Sequence, residues 1–281
     1  KTGNVLCVKG QLFLWMFPPQ VFEAFNNVYI LSYLFTGSVF DAYLKIHGLD
    51  YTLGGVAGRY GTADGFYFAE YVDDSQRRKE LSAAINIYEG VANRIGDKRC
   101  NLSATWYDKA QPSDIAAVRK SFNTFLKSAK KPGKHLMWTS YKGEKDALCI
   151  KGAGFVHPPT KEEKQALHAD PDCKDASLNK LRCFVSCNAK ATNDYYDRQV
   201  LAYLINRFYN PLIQDMFRDK YHIKLDGDRY ALSEMIQWIW RSCIRRSDLP
   251  MEERKIDLFI PSKRMRNLLV RWLAGGKRQV K

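Results

Sequence analysis

The sequence predicts an α/β fold in which helices flank a largely parallel sheet. Strand-length apolar runs alternate with segments of helical period, and the joints between them are short. The run 28–35 is almost continuously apolar, which is typical of strands buried on both faces, and 181–187 is a second candidate for a buried strand. A third run, 256–262, leads directly into a segment of helical period at 263–273.

Residues 1–50 are predicted to be the truncated end of one α/β domain. The expected elements are a β-hairpin over 5–17 around Lys9–Gly10, a short helix from Pro18–Pro19 to Phe25, a strand over 28–35 and a helix over 38–48. Gly48 is a natural end for that last helix, since glycine tolerates the left-handed conformation that often follows a helix.

Residues 51–130 are predicted to form a glycine-rich connector and a mainly helical insertion. The segment 52–65 holds five glycines but has neither dinucleotide-binding nor P-loop spacing, so a connector is favoured over a phosphate cradle. One helix is expected from Asp73 or Asp74 to about Arg94, and another from Ser113 to about Ala129.

Residues 131–281 are predicted to be a complete second α/β domain with a basic C-terminal tail. The expected strands are 135–142, 181–187 and 256–262, and the expected helices are 194–208, 230–246 and 263–273. The polar interval 157–180 is expected to lie on the surface. Asn210–Pro211 is expected to end the helix 194–208.

The charge balance favours a polyanionic partner. The chain has 44 Lys+Arg against 30 Asp+Glu, a net charge of +14. Nucleic acid is the first expectation, with DNA ahead of RNA, and an anionic membrane surface is the second. No apolar run approaches the ~20 residues that span a bilayer, so no membrane insertion is expected and the predicted location is the cytoplasm.

The seven cysteines are scattered and odd in number, which indicates reduced thiols. His168, Cys173, Cys183 and Cys187 are the one group that resembles a tetrahedral zinc site. Their spacing lacks the tight CxxC pairs of common zinc modules. We therefore expect no metal there.

Three long polar side chains recur at four-residue spacing within the predicted helix 230–246. Gln237, Arg241 and Arg245 would form one stripe, opposite an apolar stripe. Two guanidinium groups and an amide suit a phosphate ligand. A solvated face with ordinary salt bridges is the alternative interpretation.

Polar residues also follow two predicted strands, where α/β domains bind ligands. Lys190, Thr192 and Asn193 follow the run 181–187, and Lys263, Arg264 and Arg266 follow the run 256–262. Helix capping alone would explain Thr192 and Asn193 but not Lys190. A solvated basic helix face is the alternative for the second group.

The order of these motifs resembles the C-terminal part of superfamily 2 helicase-type ATPases, particularly those of phages and mobile elements. The segments that carry the resemblance are Ile30–Tyr33, His135–Lys142, Ser186–Asp194 and Gln237–Arg245. Two departures fall in the last segment: Trp240 stands where the family has glycine, and Arg245 comes one residue later than the second arginine of the motif. The chain contains neither a GxxxxGK[ST] nor a DExx motif.

The resemblance implies a nucleic-acid-dependent ATPase with RecA-like domains, whose P-loop domain would precede Lys1. Gln237, Arg241 and Arg245 would then reach ATP and Mg²⁺ held by that missing domain. Lys190, Thr192, Asn193, Lys263, Arg264 and Arg266 would contact the nucleic-acid backbone. This chain by itself is not expected to hydrolyse ATP.

Two alternatives remain open. The first is a non-enzymatic DNA- or RNA-binding protein that uses its basic surface with exposed aromatic rings, Trp106, Tyr107 or Tyr195 among them. The second is a nuclease or recombinase, for which Asp194 and Asp197 would have to hold a metal.

Overall fold

The computed structural model describes residues 5–58, 65–70, 74–129, 135–169, 176–189, 193–246 and 248–275. The chain divides into two compact units. Unit 1 comprises Lys1–Asp74 and Phe208–Ser233, and unit 2 comprises Ser75–Arg207 and Glu234–Lys281. The strands are β1 Val5–Val8, β2 Leu12–Trp15, β3 Gly55–Gly58, β4 Phe66–Ala69, β5 Ile85–Ile87, β6 Leu136–Thr139, β7 Val200–Tyr203 and β8 Ile256–Phe259. The helices are α1 Gln20–Glu23, α2 Val39–Ile46, α3 Ser75–Ala84, α4 Ala104–Asp108, α5 Pro112–Ser128, α6 Lys145–Leu148, α7 Lys161–Ala169, α8 Ala176–Asn179, α9 Pro211–Tyr221, α10 Gly227–Ile239 and α11 Lys263–Leu273.

Unit 1 is built from two antiparallel hairpins and short helices. Strand β1 pairs with β2, and β3 pairs with β4. The first hairpin turns through Lys9 and Gly10, both with positive φ, and the amide of Gln11 closes the turn by donating to the carbonyl of Val8 at 3.0 Å. One face of this hairpin packs on a small core with α2 and α9, whose buried members are Val8, Ala42, Tyr209, Met216, Phe217 and Leu225.

Unit 2 contains a four-stranded parallel sheet in the order β5-β8-β7-β6. Because the middle strands are the last two in the chain, β5 and β6 lie at opposite edges. Successive residues of a strand face opposite sides of a sheet. On one side Trp138 and Phe259 pack against Phe122 and Phe125 of α5. On the other side Tyr203 packs against Trp238 of α10.

The predicted fold class is confirmed: the domain is α/β, with a parallel sheet flanked by helices. The predicted hairpin over 5–17 and the helices over 38–48, Ser113–Ala129 and 263–273 are also confirmed as β1–β2, α2, α5 and α11. Helix α5 begins one residue earlier than predicted. Its N-cap is Gln111, whose capping box with Asp114 and the proline at position 112 fix that end.

The helix predicted over 194–208 is wrong. Residues 200–203 form β7, and residues 200–206 are fully buried. A helix buries one stripe and exposes the rest, whereas a central strand covered on both faces buries every residue. The four-residue spacing of Val200, Leu204 and Phe208 is thus compatible with a helix, although the segment forms a strand. Likewise Asn210 and Pro211 open a helix, as N-cap and first residue of α9, rather than close one.

The strand predicted over 28–35 is also wrong. The segment pairs with no strand among the described residues, and its side chains are largely exposed: Tyr29 is 75% and Leu31 89% exposed. An apolar run becomes a buried strand only where neighbours supply hydrogen-bonding edges on both sides.

The helix predicted from Asp73 or Asp74 to Arg94 ends early. Helix α3 stops at Ala84, and the next three residues form β5, an edge strand of the sheet. The amide of Tyr88 donates to the carbonyl of Leu258 at 2.8 Å, and Asn86 Nδ2 donates to Asp257 Oδ1 at 2.7 Å. The domain boundary predicted near residue 130 thus differs from the two units, since residues 75–129 belong with the sheet.

The apolar run 181–187 extends the sheet without becoming a regular strand. The amide of Trp138 donates to the carbonyl of Cys183 at 2.8 Å, and the amide of Val185 donates to the carbonyl of Trp138 at 2.9 Å. These bonds form an isolated parallel bridge beside β6. The prediction of a buried strand is therefore right in position and direction, although the ladder is only one bridge long.

Candidate nucleic-acid interface

The four parallel strands of unit 2 end at one edge of the sheet, which we call the carboxyl edge. In open α/β sheets, ligands bind in the crevice outside this edge. Each strand is followed there by at least one basic residue. These carboxyl-edge cations are Lys98 and Arg99 after β5, Lys142 after β6, Arg207 after β7 and Lys263 after β8.

Asn206 joins the segments that follow the four strands. Its side chain is fully buried three residues beyond β7. Its Nδ2 donates to the carbonyls of Arg99 at 2.8 Å and Asn101 at 3.0 Å, and its Oδ1 accepts from Arg264 Nη1 at 3.1 Å. One amide therefore ties the segment after β5 to the first turn of α11, which follows β8.

The backbone of Asn206 completes the junction. Its amide donates to the carbonyl of Leu102 at 2.8 Å, and its carbonyl accepts from the hydroxyl of Tyr141 at 3.1 Å. Leu102 has a positive φ of 65° and is fully buried, so the chain holds an unfavourable conformation to present that carbonyl. Tyr141 follows β6, and all four strands are thereby linked through one residue.

The N-terminus of α11 adds positive potential at this edge. Ser262 caps the helix, with its side chain accepting from the amide of Met265. Of the three cations predicted here, Lys263 is exposed, while Arg264 and Arg266 are partly buried. Arg264 Nη1 also donates to the carbonyl of Arg207 at 2.7 Å. Arg264 therefore links the segments at the carboxyl edge by hydrogen bonds and also adds a positive charge there.

Arg266 is held by the end of β8. Its Nη1 donates to the carbonyls of Ile260 at 2.7 Å and Pro261 at 3.0 Å. Burial lowers the pKa of its guanidinium from the ordinary value, and the nearby carboxylates Asp97 and Glu89 act in the opposite direction. The structure thus places Arg266 at the predicted strand end, bonded to the backbone there.

Lys98 and Arg99 are exposed in the segment that follows β5. A glycine brings this segment close to the start of α11. A Cβ atom added at Gly96 would lie 2.2 Å from the carbonyl oxygen of Pro261, so only glycine permits this approach. Two cations from one connection thereby come near the cations of another.

Arg207 lies in a polar cluster with a carboxylate. Its Nη2 is 3.3 Å from Glu234 Oε2 and 3.3 Å from Asn188 Oδ1. Both contacts are longer than the 2.7–2.9 Å typical of charge-assisted hydrogen bonds, as roughly expected for loosely held pairs. The carboxylate of Glu234 therefore lies beside Arg207, one of the carboxyl-edge cations.

The predicted stripe of Gln237, Arg241 and Arg245 is not formed on one helix. Helix α10 ends at Ile239, and Arg245 belongs to a separate 3₁₀ turn, Cys243–Arg245. The Oγ of Ser242 donates to the carbonyl of Ile239 at 2.7 Å, so this carbonyl at the end of the helix accepts a hydrogen bond from a side chain. The chain therefore turns before the helix can reach Arg245.

The turn Cys243–Arg245 lies beside the start of β7. The amide of Cys243 donates to the carbonyl of Arg198, two residues before β7 begins. Arg241 Nη1 donates to the carbonyl of Gln237 at 2.8 Å, and burial lowers the pKa of its guanidinium. Arg245 and Gln237 are exposed. The turn with Arg245 therefore lies beside the amino end of β7, whereas Gln237 directly precedes Trp238, which packs against Tyr203 at the carboxyl end of that strand.

The group predicted after the run 181–187 is only partly visible. Lys190 and Thr192 lie outside the described residues. Asn193 Oδ1 accepts a hydrogen bond from Arg245 Nη1. The structure thus brings together one residue from each of two separately predicted groups, away from Lys263.

Two of the three aromatic side chains expected to be exposed are not. Tyr107 and Tyr195 are buried, and burial raises the pKa of both hydroxyls. Tyr107 donates to the carbonyl of Leu204 at 2.9 Å, so it supports the end of β7. Trp106 is partly buried. The prediction that Tyr107 and Tyr195 present open stacking faces is wrong.

The acidic pair Asp194 and Asp197 does not lie on a helix, because the helix predicted there is absent. Asp197 Oδ2 pairs with Arg198 Nη1 at 2.9 Å. In the described part of the chain, no group of three or more His, Cys, Asp or Glu side chains is arranged to hold a metal ion.

The cysteines of the considered zinc group are partly described. Cys183 and Cys187 are buried, and burial raises the pKa of both thiols, that of Cys183 to about 12. A raised pKa keeps a thiol protonated and unreactive. Cys173 lies outside the described residues. Within the ranges that the structure describes, no helix is both long enough and apolar enough to cross a membrane.

The charge of the chain resides in unit 2. By sequence, unit 2 holds 36 of the 44 Lys+Arg and 19 of the 30 Asp+Glu, a net charge of +17. Unit 1 holds the other 8 basic and 11 acidic residues, a net charge of −3. The unit with the parallel sheet thus carries the positive excess of the chain.

Comparison with protein families agrees with the sheet. The profile of a family described as the YonV C-terminal Rossmann-like domain matches residues 79–273, which run from α3 to the end of α11. The chain belongs to this family. The Rossmann-like description fits the parallel sheet β5-β8-β7-β6, and the match starts before β5, so it includes the strand that sequence reasoning read as helix.

One curated relative extends over both units. The SPbeta prophage-derived uncharacterized protein YonV of Bacillus subtilis (strain 168) is 34% identical over 279 residues, 99% of this chain. The chain spans 59% of the length of that relative. The relative comes from a prophage, the setting that the helicase resemblance implied. No solved structure matches the chain.

Sequence reasoning missed several residues of the carboxyl edge, chiefly Asn206, Arg207, Lys142 and the pair Lys98–Arg99. The missed signal was the continuous apolar run 200–205 ending in Asn-Arg, the pattern of a buried strand with polar residues at its end. The others follow elements that could be placed at this edge only once β5 and β6 were known to share it.

Proposed function

We propose that the Rossmann-like unit binds the phosphate backbone of DNA through the carboxyl-edge cations. The observation that carries this proposal is that every parallel strand ends in a segment with a basic residue. Exposed lysine and arginine side chains supply sequence-independent affinity for phosphates, and a helix N-terminus adds to it. The net charge of +17 on this unit favours long-range attraction of the same ligand.

The geometry also explains why this edge is rigid. Asn206 fixes the segments after β5, β7 and β8 through its side chain, and Tyr141 adds the segment after β6. A rigid array of cations loses little conformational freedom on binding, which favours affinity. The hydrogen bonds of Asn206 in the segment after β5 use backbone carbonyls, and Lys98, Lys142 and Lys263 are exposed.

The test removes three cations at this edge. We expect the triple variant Lys98→Ala, Lys142→Ala, Lys263→Ala to bind a mixed-sequence DNA oligonucleotide roughly 10- to 100-fold more weakly at 100 mM salt. The slope of log K against log salt concentration should fall in magnitude by about 2 to 3, since each phosphate contact contributes about 0.9. Fluorescence anisotropy over a salt series measures both quantities.

The matched control removes the same charge from the same unit. Lys127 lies in the last turn of α5, Lys255 directly precedes β8, and Arg271 lies in the last turn of α11; all three are exposed. The triple variant Lys127→Ala, Lys255→Ala, Arg271→Ala should weaken binding by no more than about 3-fold, through long-range attraction alone. Equal losses in the two triple variants would refute a localised site.

Glu234 should oppose DNA binding, because its carboxylate lies beside Arg207. We expect Glu234→Gln to raise DNA affinity roughly 3- to 10-fold at 100 mM salt, with a smaller gain at high salt. Glu253→Gln is the control, since Glu253 is exposed in the segment before β8. The same anisotropy titration applies. A gain in Glu253→Gln as large as that in Glu234→Gln would contradict a local role.

ATP hydrolysis of the helicase type stays a prediction from the resemblance. Arg245 would have to act from a turn beside the amino end of β7, separate from the helix that carries Gln237, whereas the cations at the carboxyl edge suit a phosphate-bearing ligand directly. A direct test is the ATPase rate of a longer protein that carries a P-loop domain, with and without Arg241→Ala. Unchanged DNA-stimulated turnover would reject the arginine role.

A further inference from the structure

The first hairpin of unit 1 has an apolar outer face. In the β1–β2 register Val5 lies opposite Trp15, and Cys7 lies opposite Phe13. Residues at alternate positions point to the same side of a strand, so these four side chains share one face. Val5 is 59%, Phe13 73% and Trp15 62% exposed, and Cys7 is exposed as well.

The inner face of the same hairpin already serves the core. Leu6, Val8, Leu12 and Leu14 pack against the buried cluster of unit 1. An antiparallel sheet with one solvated face normally alternates apolar inside with polar outside. This hairpin is apolar on both faces, and the outer one is continued by Phe17, whose ring centroid is 5.7 Å from that of Trp15.

Exposed apolar side chains are concentrated in unit 1. Among the described residues, 17 of the 21 exposed large hydrophobic side chains belong to it, although it is the smaller unit. Contiguous apolar patches of a few hundred Å² on a soluble protein mark interaction sites. Taking typical side-chain areas, the outer hairpin face together with Phe17 exposes roughly 400–500 Å².

We propose that this face pairs with the same face of a second copy of the chain. A two-fold contact requires a patch that is complementary to itself, and an uncharged apolar strand face meets that requirement without matched charges. The net charge of −3 on unit 1 opposes contact between two copies only weakly, whereas +17 on unit 2 opposes contact through the basic unit strongly. The two faces would stack at about 10 Å, as packed sheets do.

The buried area sets the strength of the dimer. Two such faces would bury roughly 800–1,000 Å² in total, which lies in the class of weak interfaces below ~1,200 Å². A dissociation constant in the micromolar range, on the order of 1–100 µM, follows for this class. The inference is independent of the proposed DNA site, since the face carries no cation.

The test is sedimentation equilibrium of the purified chain between about 1 and 200 µM, at 0.3 M salt to screen charge repulsion. We expect a monomer–dimer equilibrium, and at least a 10-fold weaker association for Phe13→Ser, Trp15→Ser. Leu31→Ser is the matched control: Leu31 is 89% exposed in the same unit but lies off the hairpin, so its substitution should leave association unchanged. Circular dichroism checks that each variant is folded.

A thiol crosslinker locates the contact independently. In a Cys100→Ser, Cys173→Ser background, which removes the exposed Cys100 and also Cys173, which lies outside the described residues, a short bismaleimide should crosslink two copies through Cys7. Cys7→Ser should abolish the covalent dimer. A chain that stays monomeric at 200 µM, or a dimer that keeps its affinity in Phe13→Ser, Trp15→Ser, would overturn the proposal. A dimer that forms without crosslinking through Cys7 would place the contact elsewhere.

Discussion

Replacing Asn206 with alanine is expected to lower the free energy of unfolding of unit 2 by about 3–4 kcal/mol. The substitution removes three side-chain hydrogen bonds from a fully buried residue. The carbonyls of Arg99 and Asn101 would be left without these partners, and the Arg264 guanidinium would lose one of its acceptors. Leaving buried polar groups unpaired costs more than the bonds themselves contribute.

Denaturant unfolding followed by tryptophan fluorescence measures this loss, because five of the six tryptophans belong to unit 2. Asn267→Ala is the control. Asn267 is exposed on α11, and its substitution should change the free energy of unfolding by no more than about 0.5 kcal/mol. A loss below about 1 kcal/mol for Asn206→Ala would show that Asn206 does not hold the carboxyl edge together.

Replacing Asp41 with asparagine is expected to lower the free energy of unfolding of unit 1 by about 2–4 kcal/mol at pH 7. Asp41 is 1% exposed and accepts from three donors. The Tyr51 hydroxyl lies 2.5 Å from Oδ1, while the Gly37 amide at 2.6 Å and Lys45 Nζ at 2.9 Å share Oδ2. An asparagine amide would turn a donor towards one of these donors and remove the charge that Lys45 faces.

The effect should depend on pH. Burial acts to raise the pKa of the Asp41 carboxyl, but the hydrogen bonds from Tyr51, Gly37 and Lys45 outweigh it and lower the pKa below 3.8. Burial and the bond to Asp41 raise the pKa of Tyr51 to about 12. A depressed carboxyl pKa contributes stability above the unfolded pKa of ~3.9, and this contribution is lost as pH falls through the folded pKa. The two proteins should therefore begin to converge in stability only as pH falls below about 4, and the contribution of the charge should be lost as pH falls through the lowered pKa of Asp41.

Hydrogen exchange of the α2 amides reports on unit 1 directly, at pH 7 and at pH 4 and below. Asp50→Asn is the matched control, because Asp50 is exposed near the same helix and should change stability by no more than about 0.5 kcal/mol. Tyr51→Phe removes one of the three donors and should cost about 1–2 kcal/mol. If the difference in free energy of unfolding between Asp41→Asn and the parent did not change with pH, the stabilisation could not be assigned to the ionised carboxylate of Asp41.

The two apolar runs misassigned at the sequence level show what pattern alone cannot settle. Residues 28–35 and 200–205 are both largely apolar runs. The pattern of the first predicts a buried strand, but the segment is mostly exposed. The pattern of the second predicts a helix, but the segment contains β7, a fully buried strand of the sheet. Periodicity reports local preference, whereas burial is decided by the partners that the chain meets elsewhere.

The same reasoning applies to the candidate site. Lys263, Arg264 and Arg266 could be predicted because a strand, a serine cap and a helix follow one another in the sequence. Asn206 could not, because its partners lie more than 50 residues away along the chain. Nor could the separation of Arg245 from Arg241 be predicted, since the helix end at Ile239 depends on the contact between Cys243 and Arg198.

The sequence by itself determined the α/β class, the hairpin β1–β2, the helices α2, α5 and α11, and the excess of positive charge, because each follows from local pattern or composition. Only the tertiary structure decided that β5 and β7 are strands, that the positive charge resides in unit 2, and that the basic residues following all four parallel strands share one edge of the sheet. The physical reason is that parallel strands pair residues distant along the chain, so their order and their shared edge exist only after folding.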